Sequence, residues 1–595
     1  MPPRRPFNGH DRRLVVAFDL GTTYSGASYA FLDPGKVPHV QTVYRYPGLE
    51  SKDAVIPTII YYDQKGRVLS IGVEPEPCDD LEEEDILKVE WFKLLLRDKG
   101  SSTAPGIPSP KLPASKTLVD VYADYYAYLY QCTKTYIRET QVGNMSKLLL
   151  DSLEDRIDFV LSHPNGWGGA QQEAMRSAIV SAGIVTEEEA RERVTFVTEG
   201  EASLHFCVSH ETYADRFKAG DSLLIIDAGG GTVDFSSYSI TSISPTKISE
   251  IAASDCIFEG AVIVRQRAEN YFRDKLRESR FGEESYVQCM ANEFDKIAKK
   301  RFRQGTRHSG VKFSSRSLDT DSKVGIRNGS LMLTEQEMFS FFDPGLDAII
   351  DAIESQRIAA VSQATIMTCF LVGGYAGSEY LFHRLDAHLK KLGVQLCRPA
   401  TPSNKAVAEG AVDFFVDHFV STRVARYTYG TGTSSASWSF PDPAAYEGRS
   451  TYIGDDGEVW VRGTFLPILF KDEQVSEVEE FRESFSMFRS RDSWEKDDCS
   501  MDVMAYRGSK PPKFVDQDKD AFAKLCTVTA SLAGIPQEFK QGKLGLYSVS
   551  QLYMVLSFGL TEFKAEIAWE DERGVEKRSP ASIIYESDFA VTVAS

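Results

Sequence analysis

The amino-acid sequence predicts a mixed α/β fold in which two related halves are followed by a smaller β-rich region. A pattern of apolar strand, Asp-x-Gly turn and second strand occurs twice, as LVVAFDLGTTYSGASYAF (residues 14–31) and LLIIDAGGGTVDFSSYSI (residues 223–240). Strands alternate with helices in both halves, which is typical of layered α/β proteins. After residue 421, short aromatic-rich segments replace the helices. The repeated hairpin indicates a duplicated lobe with two turns facing each other across a cleft.

We divide the chain into four regions on this basis. A basic tail at residues 1–13 is expected to be disordered, and the first lobe follows at residues 14–218. The second lobe spans residues 219–421, and a β-rich interaction region spans residues 422–595. A chain of 595 residues is long enough for roughly three to five domains.

The elements within these regions follow from local patterns. GSSTAPGIPSPKLPAS has too many Ser and Pro residues to form a core and predicts a surface loop. The first lobe is expected to contain a strand at 55–62, this loop at 100–115, a Tyr-rich helix at 117–141, and strand–turn–helix units at 156–184 and 194–208. The second is expected to contain charged helices at 261–280 and 284–303, a strand, glycine turn and helix at 368–385, and a closing helix at 404–420. Residues 563–577 predict a hairpin that turns at Arg573–Gly574.

Composition and charge exclude several classes of protein. The net charge of −19 argues against a nucleic-acid binder and discourages adhesion to anionic membranes. Nine dispersed cysteines without a C-x-x-C pair favour a reducing compartment over a disulfide framework or a zinc site. The sequence has no apolar run long enough for a membrane span and no secretory signal. We therefore expect a cytoplasmic, or alternatively nuclear, protein with no nucleic-acid partner and no membrane span.

The glycine turns predict that the cleft handles ATP. Glycines let backbone N–H groups approach a polyphosphate closely, and consecutive N–H groups form an anion-binding nest. Asp19 and Asp227 lead the two turns, where they would hold a Mg²⁺ ion through its bound water. The alternative is that both are ordinary turn residues, since Asp-x-Gly is common in turns. The repetition of the pattern favours the ATP-binding interpretation.

Five motifs resemble the heat-shock protein 70 family of the actin-like ATPase superfamily, and they occur in the family's order. They are FDLGTT (18–23), VTEGEAS (197–203), IDAGGGTVD (226–234), LVGGYAGSEYLFHRL (371–385) and AVAEGAV (406–412). The GTTYSG and EGEAS forms, with VARYTYG after the last helix, are most similar to the divergent member-12 branch and its fungal relatives. The resemblance covers about residues 14–421 and implies an actin-like ATPase fold with ATP or ADP and Mg²⁺ as cofactors.

The resemblance also implies roles for individual residues. The expected catalytic residues are Lys93 as the γ-phosphate lysine, Glu199 as the group that orders Mg²⁺-bound water, and Asp227 and Thr232. The expected nucleotide-binding residues are Asp19, Gly21, Thr22, Thr23, Tyr24, Gly229, Gly230, Gly231, Lys299, Gly373, Gly374 and Tyr375. Of these, Lys299 and its neighbour Lys300 would lie near adenine, although a charge-rich helix is more often a solvated face.

Some residues depart from the family's pattern. Asn404 replaces an aspartate of the closing helix, and Gln172 replaces the arginine of an interlobe switch. No acidic–leucine linker follows Val420, and no long helical lid is present. These departures concern peptide coupling and cochaperone docking rather than nucleotide binding.

The sequence leaves three functions open. The first is a chaperone-like ATPase, a weak enzyme acting on protein clients. The second is an ATP-binding regulatory or scaffold protein with regulatory protein partners and little turnover. The third, a sugar-kinase-like phosphotransferase, ranks last because no acidic base is singled out. We expect the protein to be a monomer.

Overall fold

The structure of the protein is a computed structural model. It describes residues 4–49, 53–73, 86–96, 110–140, 152–209, 217–399, 403–476, 479–490, 498–531, 535–558, 563–578 and 582–584. The chain divides into two compact units, the first formed by residues 1–167, 174–420 and 591–595 and the second by residues 168–173 and 421–590. Most of the predicted Ser/Pro-rich loop, residues 100–109, lies outside the described residues.

The first half of the first unit is built around one mixed sheet. Its strands are β1 (Arg13–Leu20), β2 (Tyr24–Leu32), β3 (Gln41–Thr42), β4 (Val55–Pro57), β5 (Ile59–Asp63), β6 (Val68–Ile71), β7 (Ile86–Glu90), β8 (Ile157–His163) and β9 (Val194–Thr198). Its helices are α1 (Leu118–Thr140), α2 (Gly169–Ser181), α3 (Glu187–Arg193) and α4 (Glu199–Ser209). The mixed sheet has the order β3-β2-β1-β8-β9, with β4 also paired to β2, whereas β5, β6 and β7 form a separate sheet in the order β6-β5-β7. β1 and β2 are antiparallel, whereas β1, β8 and β9 are parallel.

The second half of this unit repeats that arrangement. Its strands are β10 (Ser222–Ala228), β11 (Val233–Ile243), β12 (Thr246–Ile257), β13 (His308–Lys312), β14 (Ile326–Arg327), β15 (Ser330–Thr334), β16 (Thr368–Val372) and β17 (Gln395–Cys397). Its helices are α5 (Ala261–Leu276), α6 (Glu284–Glu293), α7 (Glu335–Ala360), α8 (Glu379–Lys391) and α9 (Ala406–Asp417). The strand order of its main sheet includes β12-β11-β10-β16-β17, again with an antiparallel hairpin beside two parallel strands. A separate small sheet has the order β13-β15-β14.

The inner strands of the two main sheets are covered on both faces. β8 and β10 are buried along their whole length, as expected for strands that helices cover on both faces. Helix α9 packs on α4 so closely that a Cβ at Gly410 would lie 1.8 Å from the carbonyl oxygen of Ala202. Only glycine permits this crossing. The sequence therefore predicts a mixed α/β structure correctly.

The N-terminal segment differs from its prediction as a disordered tail. The Arg4 guanidinium forms ion pairs with Asp413 and Asp417 of α9 and donates to the carbonyl oxygen of Pro38 at 3.2 Å. The backbone N–H of Phe7 donates to the carbonyl oxygen of Lys36 at 2.8 Å. Residues 4–13 are therefore ordered, because carboxylates 409 and 413 positions away hold the tail's first described arginine. A local composition pattern cannot show such a contact.

The second unit contains two antiparallel sheets. Its strands are β18 (Val420–Val424), β19 (Thr428–Ala436), β20 (Thr451–Ile453), β21 (Val459–Leu469), β22 (Gln474–Ser476), β23 (Glu480–Ser490), β24 (Asp498–Tyr506), β25 (Phe522–Ser531), β26 (Glu538–Gly542), β27 (Gly545–Phe558), β28 (Phe563–Glu570), β29 (Glu576–Arg578) and β30 (Ser582–Ile584). The sheets have the orders β20-β21-β19-β24-β25-β30 and β23-β27-β28-β29, with β26 also paired to β27. β18 and β22 belong to neither sheet and pair with each other as antiparallel strands. Val503, Val528, Leu552 and Ile567 are among the residues of their shared core. The predicted hairpin is present, since Glu570 pairs with Glu576 around a turn that contains Gly574.

No helix of the described residues has the length and apolar character that a membrane crossing requires.

Candidate functional site

The first glycine turn lies at the tip of β1 and β2. In this hairpin Asp19 is paired with Gly26. A Cβ at Gly21 would lie 2.2 Å from the carbonyl oxygen of Tyr24, so the turn requires glycine there. Thr22 is buried, whereas half of the Tyr24 surface is exposed. The predicted residues of this turn therefore share one hairpin tip, with Tyr24 as its most exposed member.

The second glycine turn is held by the beginning of α5. Its carbonyl oxygens accept hydrogen bonds from successive N–H groups, in the pairs Gly229–Ala261, Gly230–Val262 and Gly231–Gly260, at 3.2, 2.9 and 3.2 Å. A trans peptide places its C=O and N–H groups on opposite sides. The N–H groups of Gly230, Gly231 and Thr232 therefore point away from α5, which creates a nest for an anion.

The two turns lie against each other. A Cβ at Gly230 would lie 2.3 Å from Oγ1 of Thr23, and a Cβ at Gly231 would lie 2.6 Å from Oγ1 of Thr22. The structure therefore brings together two turns that are about two hundred residues apart in the chain, as the repeated pattern predicts. The hydroxyl groups of the first turn lie beside the glycine backbone of the second.

Lys93 lies in a 3-10 turn, Phe92–Leu96, and reaches the beginning of α4. Its Nζ lies 2.5 Å from Oε1 of Glu199, and the two residues are only 3% and 8% exposed. The Trp167 ring lies 5.6 Å from the same Nζ. Burial alone would lower the pKa of Lys93, but the carboxylates of Glu199, Asp19 and Asp234 outweigh this effect and raise the pKa. Lys93 is therefore a buried cation beside the glycine turns.

Two predicted carboxylates lead the turns, and Asp227 is buried whereas Asp19 is half-buried. The Ser162 hydroxyl donates to Asp19 at 2.9 Å, and the Ser203 hydroxyl donates to Asp227 at 2.7 Å. Burial and the nearby Glu199 raise the pKa of Asp19 to about 6, and they raise the pKa of Asp227 as well. Bound cations relieve such crowding of negative charge.

Asp234 joins this group, although the sequence analysis did not single it out. It lies opposite Asp227 in the β10–β11 hairpin. Its Oδ1 accepts the backbone N–H of Asn165 at 2.7 Å, whereas its buried Oδ2 has no hydrogen-bond partner among the described residues. Burial, followed by the charge of Glu199, raises its pKa to about 7. The signal that could have identified Asp234 is its place in the predicted hairpin, directly across from Asp227.

The carboxylates of Asp19 and Asp227 are better suited to a hydrated cation than to one that they coordinate directly. Within the described ranges, no three His, Cys, Asp or Glu side chains converge closely enough to hold a metal ion themselves. Mg²⁺ usually keeps several water ligands and takes only one or two carboxylates. Asp19 and Asp227 are therefore suited to contacting such an ion through its water.

The third glycine turn lies close to the second. Gly373 has a φ of +90°, and a Cβ there would lie 2.4 Å from both Oδ1 of Asp227 and the carbonyl oxygen of Ala228. A side chain at Gly374 would meet open space. Tyr375, in contrast, is buried in the hydrophobic core of the second half. The ring of Tyr375 therefore packs in that core, and a role of Tyr375 in nucleotide binding stays a prediction.

Lys299 is buried and its side chain contacts the beginning of α5, so it does not lie on a solvated face. Its Nζ donates to the carbonyl oxygen of Ala261 at 3.1 Å and forms an ion pair with Asp295. Burial lowers the pKa of Lys299, and Asp295 offsets only part of this effect. The predicted helix 284–303 is interrupted here by a π-helical turn, Phe294–Ala298. Such turns are frequent at functional sites.

Comparison with known proteins gives distant relatives over most of the chain. No family model matches the sequence. Heat shock 70 kDa protein 12A of Homo sapiens is 23% identical over 564 residues, which cover 80% of this chain and 79% of the relative. The 12A protein of Mus musculus is 22% identical with the same coverage, and protein 12B of Homo sapiens is 22% identical over 559 residues, covering 79% of this chain and 78% of its own. These relatives confirm that the chain is similar to the heat-shock protein 70 family, in particular to its divergent member 12.

Proposed function

We propose that the protein is an actin-like ATPase of the heat-shock protein 70 type, which binds ATP with Mg²⁺ between its glycine turns and hydrolyses it slowly. The observation that carries this proposal is the contact between the turns Gly229–Gly231 and Thr22–Thr23, surrounded by buried carboxylates and Lys93. The similarity to member 12 supports nucleotide binding at the level of the family. The repeated sheet topology supports the actin-like fold.

The residues of the site account for binding and for charge stabilisation. The nest of N–H groups at Gly230, Gly231 and Thr232 binds phosphate oxygens. Lys93 leaves Glu199 and faces the terminal phosphate, which frees the Glu199 carboxylate to orient the attacking water. Bound Mg²⁺ supplies further neutralisation of phosphate charge. Phosphoryl transfer needs positioning and charge stabilisation more than covalent catalysis. One hydrogen-bond donor that points at the developing charge typically lowers the activation free energy by about 3–4 kcal/mol.

Calorimetry tests the binding proposal. Mg–ATP is expected to bind the full chain and to raise its melting temperature, because a ligand that binds only the folded state stabilises it. Release of radiolabelled phosphate then separates the alternatives. Slow turnover supports the ATPase, whereas binding without turnover supports the ATP-binding regulatory or scaffold protein. Absence of both binding and a melting shift contradicts the proposal.

An apolar surface on the second unit favours a polypeptide-binding function in addition. The turns after β20 and β26 meet, since a Cβ at Gly457 would lie 2.6 Å from Cβ of Lys543. Beside them an aromatic row runs from Trp460 through Phe488 to Tyr547, with ring centroids 5.1 and 6.0 Å apart.

One exposed apolar side chain extends this row, because Leu544, which is 69% exposed, follows Lys543 in the second of these turns. We call the surface formed by Trp460, Phe488, Leu544 and Tyr547 the C-terminal apolar surface. Exposed apolar area marks interaction sites where it forms a contiguous patch. An extended apolar segment of a client protein is the occupant that this surface fits, which makes the protein a chaperone-like ATPase.

The protein is expected to act as a monomer in a reducing compartment, the cytoplasm or nucleus. The described cysteines are free thiols, in keeping with that location.

A further inference from the structure

The small sheet of the second half presents one face to solvent. In β13, Ser309 and Val311 are buried, whereas His308, Gly310 and Lys312 are exposed. Side chains alternate between the two faces of a strand. The buried residues therefore face the helices beneath the sheet, and Lys312 lies on the opposite, solvent-facing side.

The register brings cations from both edge strands onto this face. Ser330 of the central strand β15 pairs with Lys312 of β13 and with Arg327 of β14. Lys312 and Arg327 are both exposed and flank the same serine. The other positions of this face on β13 and β15 are His308, Gly310, Met332 and Thr334. The face therefore carries positive charge without a carboxylate. We call it the basic sheet face.

The loops next to this face add positive charge that is not neutralised. Residues 307–330 contain five Lys or Arg residues and two Asp residues. Asp319 forms an ion pair with Arg280 at 3.5 Å and Asp321 accepts from the Ser279 hydroxyl at 2.8 Å, so neither carboxylate forms an ion pair with a Lys or Arg of this described segment. Arg307, Arg316 and Lys323, like Lys312 and Arg327, are exposed and form no ion pair within the described part of the chain.

Another sheet of the same chain shows how exposed arginines are otherwise paired. In the second unit, Arg482 forms ion pairs with Glu480 and Glu576, and Arg578 forms ion pairs with Glu480, Glu566 and Glu576. Each arginine therefore has at least two carboxylate partners, of which at least one lies on another strand. Like charges that face each other across strands destabilise a sheet. The unpaired cations of the basic sheet face are thus arranged for an anion that comes from outside the described chain.

We propose that the basic sheet face binds an acidic, extended segment of a partner protein. The net charge of −19 repels long polyanions such as nucleic acid and anionic membranes, which would extend beyond the face onto acidic surface. Screening limits this repulsion to a Debye length of about 8 Å at physiological ionic strength, so a short acidic segment meets mainly the local cations. The inference does not depend on ATP binding.

Fluorescence anisotropy with a labelled oligoglutamate peptide tests the proposal on the full chain. The peptide is expected to bind, and binding is expected to weaken as salt is added. In the double variant Lys312→Glu/Arg327→Glu, affinity is expected to fall by at least about tenfold. The matched control is Lys390→Glu/Lys391→Glu, which reverses two exposed charges on α8 and is expected to leave binding unchanged.

A second double variant separates loss of charge from loss of folding. Should the glutamate variant lower the melting temperature, Lys312→Gln/Arg327→Gln removes the charges without adding new ones and is expected to weaken binding in the same direction. The proposal is overturned if oligoglutamate does not bind, or if both double variants of the face bind it as well as the unmodified chain. It is also overturned if a DNA duplex or a phosphatidylserine vesicle binds this face more tightly than the peptide.

Discussion

At the scale of single residues, the carboxylates of the site are expected to have separable roles. Asp227→Ala removes a carboxylate that would hold the water shell of Mg²⁺, so Mg–ATP affinity should fall. Glu199→Ala should lower turnover by about tenfold or more with a smaller effect on binding, because it orients water rather than the ion. Calorimetry and phosphate release on both variants measure the difference. Turnover equal to that of the unmodified chain in both variants contradicts the assigned roles.

The ion pair of Lys93 with Glu199 predicts a stability effect in the absence of nucleotide. Lys93→Met leaves Glu199 buried without its cation, and breaking a buried pair typically costs about 3–5 kcal/mol of unfolding free energy. Adding Glu199→Gln removes the stranded charge and should recover much of the loss. Urea unfolding of the two single variants and the double variant measures this cycle. Equal losses in Lys93→Met and in the double variant show that the charge is not the cause.

The limits of prediction are clearest at this scale. The glycine turns, Lys93 and Glu199 could be predicted because their pattern is local or resembles a known motif. Asp234 was missed because its carboxylate becomes important only when β11 is placed against β10. The burial of the Tyr375 ring in the core could not be predicted either, since a local motif does not show burial.

At the scale of elements, a contact between Trp91 and Arg265 joins the segment that carries Lys93 to α5. The Arg265 guanidinium lies 4.9 Å from the centre of the Trp91 ring, and Trp91 has a left-handed φ of +58°, which is unusual for a bulky residue. Arg265 also donates to Asn292 at 2.9 Å. This contact therefore connects the segment that carries Lys93 with the helix that holds the second glycine turn.

Arg265→Met is expected to accelerate nucleotide release. A cation–π contact contributes about 0.5–2 kcal/mol, which corresponds to at most about thirtyfold in rate. Stopped-flow release of a fluorescent ATP analogue measures the change. The control is Lys275→Met, which removes a similar contact with Tyr271 at the far end of α5. If both variants release nucleotide at the same rate, the connection has no effect on the site.

The anchored N-terminal segment predicts a dependence of stability on pH. Burial raises the pKa of Asp413 to about 7, even though Arg4 lowers it, while an unfolded aspartate titrates near pH 4. The folded state therefore binds the proton more tightly. The stabilisation that protonation of Asp413 gives the folded state is complete below about pH 4, and it is lost as the pH rises through about 7. Thermal melting across this range should show a smaller decline for Asp413→Asn than for the unmodified chain. An identical decline contradicts the assignment.

At the scale of the whole molecule, the mixed α/β class and the facing turns followed from the repeated hairpin. The ordered N-terminal segment did not, because its partners are more than four hundred residues away in the chain. The π-helical turn before Lys299 is equally invisible in a charge pattern, since one added residue in a helix changes no composition signal. Long-range contacts and helix irregularities thus account for most of what sequence reasoning missed.

Polypeptide binding is expected to be coupled only weakly to ATP, because no acidic–leucine linker is present. Titration of a labelled unfolded peptide with ADP and then with ATP measures the coupling, which must act equally in both directions. Leu544→Ser in the C-terminal apolar surface should weaken peptide binding, whereas Leu318→Ser, another exposed leucine outside it, should not. A change in peptide affinity beyond about tenfold between nucleotides contradicts weak coupling.

The contact between the two glycine turns has a kinetic consequence. Since α5 already holds the carbonyl groups of the second turn, we expect that loop to keep its shape when nucleotide binds. Oγ1 of Thr23 would lie only 2.3 Å from a Cβ at Gly230, so under the proposed function a phosphate that binds beside Gly230 is expected to displace Thr23. We therefore expect association to require a separation of the turns, so that only the separated fraction of molecules captures ATP. The observed association rate should rise with ATP at first and then level off at the rate of separation.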